Sequence, residues 1–160
     1  MEIQGETLLG WIVLLPLLGA VLNGVLGRRL SKRATSIIGC SSVGIAFVLT
    51  ILTWLSLRAR IDAGLEPAAL ELTVWNWMDS DLIRVNFALM FDQLSAVMTL
   101  IITGVGLMIH IFSIGYMHDD DSYHRYFSYL NLFMFSMLCL VLGSNMIVMF
   151  LGWEGVGLCS

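Results

Sequence analysis

Long stretches without charge alternate with short charged ones along this chain. Thr7 to Gly27 holds no charged side chain, and neither does Ala34 to Leu57. Between Gln93 and Met117 only His110 titrates near neutrality, and Tyr126 to Trp153 is again free of formal charge. A helix crossing a bilayer needs ~20 predominantly apolar residues, so each run is long enough to cross. The last is too long for one helix, and Gly143-Ser144-Asn145 supplies a tight turn inside it. The pattern predicts an all-α, polytopic transmembrane bundle of about five spans: 7–27, 34–57, 93–116, 126–142 and 145–160.

Two local features point to helices packed on one another. Ser36, Cys40 and Gly44 recur every fourth residue and form a ridge of small side chains that lets a neighbour approach closely. Pro16 falls in the middle of the first span, where it removes a backbone donor and is expected to kink the helix. Packing explains both.

The segment between spans two and three changes period. Leu70-Glu71-Leu72-Thr73-Val74-Trp75-Asn76-Trp77 partly alternates, and Ile83, Val85, Phe87 and Leu89 alternate with Arg84, Asn86 and Ala88. Asp79-Ser80-Asp81 is turn-like. The segment reads as a β-hairpin over about 70–91 with one apolar face, lying on the outer membrane surface. Trp75 and Trp77 are candidate interfacial anchors. Because a lone hairpin is marginal in water, it should rest on its own helices or on an adjoining subunit.

Composition agrees with a lipid solvent. Of 160 residues, 58% are apolar and only 12% charged, about half the charged share of a soluble domain. Disorder is excluded by the same figures. Twelve acidic residues against eight basic ones, a net charge of −4, argue against a nucleic-acid partner. Cys40, Cys139 and Cys159 lack CxxC spacing and read as small buried side chains. With Glu2 and Glu6 and no early basic residue, the first apolar run is read as retained rather than as a signal peptide.

Arg28, Arg29, Lys32 and Arg33 crowd the first link. The positive-inside rule places that link in the cytoplasm and the N-terminus outside. Residues 58–91 then lie outside and 119–125 inside, with Arg58 and Arg60 against the rule. Counting from Asn145, the fifth span reaches about 22 Å at 1.5 Å per residue, short of a ~30 Å hydrocarbon core. The expectation is therefore an N-terminal fragment, residues 1–160, of a longer multi-span protein.

Glu154 is the one acidic residue well inside an apolar span, about 13 Å beyond Asn145 and so near the bilayer centre. A carboxylate there is costly unless paired, hydrated or protonated. Desolvation favours its neutral form and a nearby cation its charged form. Held between those influences it could take up and release a proton, as a relay requires. The plain alternative is a carboxyl bonded to a helix backbone that only holds helices together.

His110, about 9 Å from the inner end of its span, is a second candidate for proton transfer, or else an interfacial histidine with its polar edge among the headgroups. Asp92 reads as a helix N-cap. His118, Asp119, Asp120, Asp121 and His124 resemble metal ligands by type only. Three consecutive carboxylates cannot easily face one ion, so they read as a solvated loop and no metal site is expected. No phosphate loop, nucleophile elbow or haem or ferredoxin-type cysteine run occurs.

From Phe87 onward the motifs resemble a known family. Phe91-Asp92-Gln93-Leu94-Ser95, Ile109-His110-Ile111-Phe112-Ser113-Ile114-Gly115-Tyr116-Met117, Arg125-Tyr126-Phe127, Asn131-Leu132-Phe133, Gly143-Ser144-Asn145 and Leu151-Gly152-Trp153-Glu154-Gly155-Val156-Gly157-Leu158-Cys159-Ser160 occur in that family's order. Together they are similar to the L subunit, the largest antiporter-like subunit of proton-pumping NADH:quinone oxidoreductase (respiratory complex I). The Leu158-Cys159-Ser160 ending looks bacterial. Residues 1–86 match in layout only.

The resemblance implies a membrane-arm subunit in a bacterial inner membrane, with other membrane-arm subunits and lipid as partners. In the family, the glutamate matching Glu154 belongs to the proton channel and works against a lysine on a later broken helix, which lies beyond Ser160. The resemblance also implies that NADH, flavin, iron–sulfur clusters and quinone are bound by other subunits, with no cofactor in this chain. A fragment lacking the later helices should not pump alone. The alternatives are the large subunit of a multisubunit Na⁺/H⁺ antiporter, where the glutamate is more often followed by Leu-Thr-Ser, and a membrane scaffold that transports nothing.

Overall fold

The computed structural model describes residues 2–64, 69–79 and 84–160, with side chains described outside 2–6, 77–79, 84 and 85. Among the described residues there are five α-helices: α1 (Glu2–Leu26), α2 (Lys32–Asp62), α3 (Gln93–Tyr116), α4 (Tyr123–Leu142) and α5 (Met146–Cys159). Two antiparallel strands, β1 (Leu70–Asp79) and β2 (Arg84–Phe91), form a hairpin between α2 and α3. The first four helices are long and apolar enough to cross a membrane, whereas α5 has 14 residues and is shorter. This is an all-α membrane bundle carrying a small hairpin.

The bundle is apolar outside, and its apolar core is interrupted by buried polar side chains. Leu18, Val21 and Val25 on α1, Ile37, Val48 and Leu52 on α2, and Ile101, Met108 and Phe112 on α3 are all exposed. Asn23, Thr50, Thr53, Thr99, Thr103, His110 and Asn131 are fully buried. Water would favour the reverse, while lipid accepts apolar surface and leaves polar groups to pair between helices. Pro16 is buried inside the unbroken helix α1.

Helix ends follow local chemistry. The Ser31 hydroxyl accepts from the Ala34 N–H at the start of α2. Asp92 opens α3 with a reciprocal box: its carboxylate accepts from the Ser95 N–H at 2.8 Å, and the Ser95 hydroxyl accepts from the Asp92 N–H at 2.8 Å. Asn145 caps α5, its side-chain oxygen accepting from the N–H groups of Ile147 and Val148. Those bonds satisfy donors that a helix start leaves free.

The hairpin rests on its own helices. Leu70 pairs with Phe91 and Asp79 with Arg84, and two irregularities in β1, after Thr73 and after Asn76, break its alternation. The expected apolar face forms, with Leu70, Leu72, Phe87, Leu89 and Phe91 turned inward and Glu71, Thr73, Asn86 and Met90 exposed, and Ala88 is buried in addition. One side of the hairpin meets the N-terminal half of α1, where Gly10, Val13, Leu14 and Leu17 face Leu72, Trp75 and Phe87 across an apolar recess. Elsewhere β2 meets the α4–α5 turn: the Ser144 N–H donates to the Ala88 carbonyl at 3.0 Å, and the Asn145 side-chain amide donates to the Asn86 carbonyl at 2.6 Å. Trp75 stacks on Phe87 with ring centroids 4.7 Å apart. The Trp77 side chain, the Ser80-Asp81 part of the expected turn and Ile83 lie outside the described residues.

The two ends of the bundle differ in charge. The hairpin, the start of α1 and the α4–α5 turn share one end. The other holds Arg28, Arg29, Lys32 and Arg33 beside the α3–α4 link, with the Lys32 ammonium donating to the His118 carbonyl at 2.7 Å. Arg58, near the hairpin end, lies over the Trp54 ring at 5.8 Å, close to a helix C-terminus that favours a cation.

Candidate functional site

The helix α4 organises the interior because α1, α2, α3 and α5 all pack on it. Its contact with α5 is made through glycines. A Cβ at Gly152 would lie 2.7 Å from the Leu140 Cα and 2.8 Å from the Ser136 carbonyl oxygen, and one at Gly155 would lie 3.0 Å from the Ser136 Cβ. Only glycine permits that approach.

The same geometry turns Glu154 outward. At 3.6 residues per turn, Glu154 is rotated about 200° from Gly152 and about 100° from Gly155. It is exposed, on a surface shared with Phe150, Trp153 and Leu158. Among the described residues its carboxylate has no hydrogen-bond partner or cation.

His110 is elsewhere. It is fully buried between α3 and α4, which overturns the headgroup placement considered from the sequence. Its Nδ1 lies 2.8 Å from the Gly106 carbonyl oxygen and its ring meets the edge of Phe127 at 6.1 Å. With Nδ1 donating, Nε2 is left as an acceptor, and it has no partner among the described residues. His110 is level with Phe127 on α4 while the glycines beside Glu154 meet Ser136, an axial separation of about 13 Å. The two candidates are therefore not brought together.

Sequence reasoning missed the polar seam that includes His110. Ser95, Thr99, Thr103, His110 and Ser113 form a buried stripe along α3, and the Ser113 hydroxyl lies 3.0 Å from the Tyr126 hydroxyl. Across the bundle, the Asn131 side-chain oxygen accepts from Ser42 at 2.7 Å, and the Asn131 amide donates to the Phe127 carbonyl at 2.9 Å. The Asn23 amide donates to the Thr35 carbonyl at 3.3 Å. Two carboxamides inside uncharged runs were the available signal. The small ridge is displaced too: the tightest approach of α2 is at Gly39 and Ser42, whereas Gly44 only touches Leu107 of α3.

Asp92 has its carboxyl held below the usual carboxylate range, first by the Ser95 N–H. His118 and Asp119 contact each other at the surface, 3.1 Å apart. Among the described residues no three His, Cys, Asp or Glu side chains are arranged to hold a metal ion.

Residues 77–127 match the family described as NADH-ubiquinone oxidoreductase (complex I), chain 5 N-terminus. The chain is 38% identical over 149 residues to NADH-ubiquinone oxidoreductase chain 5 of Cryphonectria parasitica, covering 93% of this chain and 22% of that protein. Chain 5 of Metridium senile is 39% identical over 151 residues, covering 93% of this chain and 24% of the relative. NADH-quinone oxidoreductase subunit L of Escherichia coli (strain K12) is 38% identical over 153 residues, covering 96% of this chain and 24% of the relative. The chain thus spans under a quarter of the length of these relatives. Nearly all of its own length is matched, and over that length the chain is similar to complex I chain 5 and subunit L.

Proposed function

We propose that this chain forms the N-terminal part of a membrane-arm subunit of NADH:quinone oxidoreductase and contributes to redox-driven proton translocation, with Glu154 as the intramembrane group whose charge changes during turnover. The observation that carries this reading is the outward carboxylate on α5. It lies between tryptophan and glycine on a helix whose packing on α4 is already complete without it. A group needed only to hold α4 and α5 together would point into that contact. Facing away, it is available to a cation and to water supplied by helices outside this chain.

His110 is a second proton-bearing candidate with its own role. Its free Nε2 could accept from water along the stripe on α3, independently of Glu154. Electron transfer, and the NADH, flavin, iron–sulfur and quinone chemistry, belong to other subunits of the complex. The chain by itself does not pump. The basic link at 28–33 faces the cytoplasm of a bacterial cell and the hairpin faces the periplasm.

Replacing Glu154 by Gln in the full-length subunit keeps the shape and removes the charge. The expected result is proton pumping per NADH oxidised reduced by about tenfold or more, with the complex assembled in normal amount. Normal pumping in an assembled Glu154→Gln complex rejects the reading and leaves a scaffold.

A further inference from the structure

At the charged end of the bundle a groove of about 410 Å³ opens between the end of α1 and the start of α4, lined by Gly24, Val25, Arg28, His124, Arg125, Ser128 and Tyr129. Two close approaches create it. A Cβ at Gly24 would lie 2.9 Å from the Ser128 hydroxyl, and one at Gly27 would lie 2.6 Å from the His124 Cβ, so α1 and α4 nearly touch along its floor. Arg28 and Arg125 line it from opposite helices, and both are exposed. Neither guanidinium makes an ion pair or hydrogen bond among the described residues. Among the described residues no carboxylate lines the groove; Asp121 lines the adjoining recess, together with Lys32.

Three further observations say what would fit. The groove is at the start of the 20-residue helix α4, where the Asp120 carboxylate already accepts from the Ser122 N–H, so the groups left for a further anion are the two guanidiniums and not the helix end. Toward the bundle's middle the walls become apolar, with Val25 and Tyr129 at 72% and 58% exposure, so the groove continues along lipid-facing surface. Five of the eight Lys and Arg residues (28, 29, 32, 33 and 125) lie at this end although the net charge is −4. A soluble anion would need only the charged half of the groove. A molecule with a phosphate at one end and an acyl chain at the other uses all of it.

We propose that this groove is a binding site for an anionic phospholipid, whose phosphate is held by Arg28 and Arg125 with His124 at its side, and whose chain runs along Val25 and Tyr129. The site is separate from Glu154 and His110 and does not depend on proton transfer. It clips the C-terminal end of α1 to the N-terminal end of α4 from the lipid side.

The test compares lipids and arginines in the full chain, purified in detergent and examined by native mass spectrometry with added phosphatidylglycerol or phosphatidylcholine. The unaltered chain should retain phosphatidylglycerol over phosphatidylcholine by on the order of tenfold. The double variant Arg28→Gln/Arg125→Gln should lose that preference. Arg29→Gln/Arg33→Gln removes the same charge from the same end but not from the groove, and should keep it. Equal retention of the two lipids by the unaltered chain overturns the proposal, as does equal loss in the two double variants. If inorganic phosphate binds with the same arginine dependence while neither lipid is preferred, the groove is an anion site and not a lipid site. Circular dichroism checks that each double variant keeps its helix content; should Arg28→Gln/Arg125→Gln lose it, the single variants are read in the same way.

Discussion

Two faces of α4 are packed by different physics. Toward α5 the contact is glycine against backbone, with Gly152 and Gly155 lying on Leu140 and Ser136. Toward α1 and α2 it is a set of buried polar side chains, with Asn131 bonded to Ser42 and to the Phe127 carbonyl, and Ser128 donating to the Ala20 carbonyl at 2.8 Å. The glycine face tolerates no added atom but depends on no particular hydrogen bond. The polar face depends on bonds that can be lost singly. Among the described residues the one carboxylate inside an apolar span, Glu154, lies on the glycine-packed helix, where it has no partner.

The largest effect should come from the glycine face. Gly152→Val sets its branched side chain against the α4 backbone, which cannot move aside as a side chain would. A loss of about 3 kcal/mol or more is expected, seen as a lower midpoint of unfolding in mixed micelles. Gly157, with nothing near a Cβ built there, provides the contrast, and Gly157→Val should leave the midpoint within error. Equal effects from both would mean that α5 is not docked on α4 as described.

The polar face should yield less. Asn131→Leu leaves Ser42 without its acceptor on α4 and should cost about 1–2 kcal/mol. A double-mutant cycle with Ser42→Ala isolates the pair, and a coupling near 1 kcal/mol is expected. Strict additivity would show that the 2.7 Å contact contributes nothing.

The contrast between the faces also separates what could be read from the sequence from what could not. Uncharged length and the Gly143-Ser144-Asn145 turn sufficed for the helices, because lipid leaves the backbone few choices. The position of Glu154 within its span was legible, but its direction was not. Direction depends on which face of α5 meets α4, and a helix apolar all round gives no moment to choose by. His110 was left undecided between two placements for a related reason: its depth follows from counting along α3, but its burial depends on Phe127, seventeen residues away in the chain. The hairpin was visible as a period of two, whereas its two irregularities and its seat on the α4–α5 turn were not, since neither arises from pairs close in sequence.

The hairpin's seat can be weakened without touching either face of α4. Asn145 both caps α5 and donates to the Asn86 carbonyl. Asn145→Ala should cost about 1 kcal/mol through the cap, and hydrogen exchange should quicken at Ile147 and Val148 as their acceptor disappears. Asn145→Asp keeps the cap but removes the donor to Asn86, so exchange at those two amides should stay slow. If Asn145→Asp exchanged as fast as Asn145→Ala, the cap would not be what protects them.

The smallest effect belongs to Asp92, and pH discloses it. Its carboxylate accepts from the Ser95 N–H, which holds its proton affinity below that of the same group in an unfolded chain. A carboxyl shifted down in the folded state stabilises the fold above its ordinary titration range, and the contribution fades as the pH falls through the depressed folded value. Unfolding midpoints should therefore drop on acidification toward pH 3, with part of the drop assigned to the start of α3. Asp92→Asn can still accept from Ser95, so at neutral pH it should cost only a few tenths of a kcal/mol, mainly the loss of charge beside the helix N-terminus. In exchange it should flatten the acid limb. If the Asp92→Asn chain lost stability on acidification as steeply as the unaltered chain, the box between Asp92 and Ser95 would not be the titrating element at that end of the bundle.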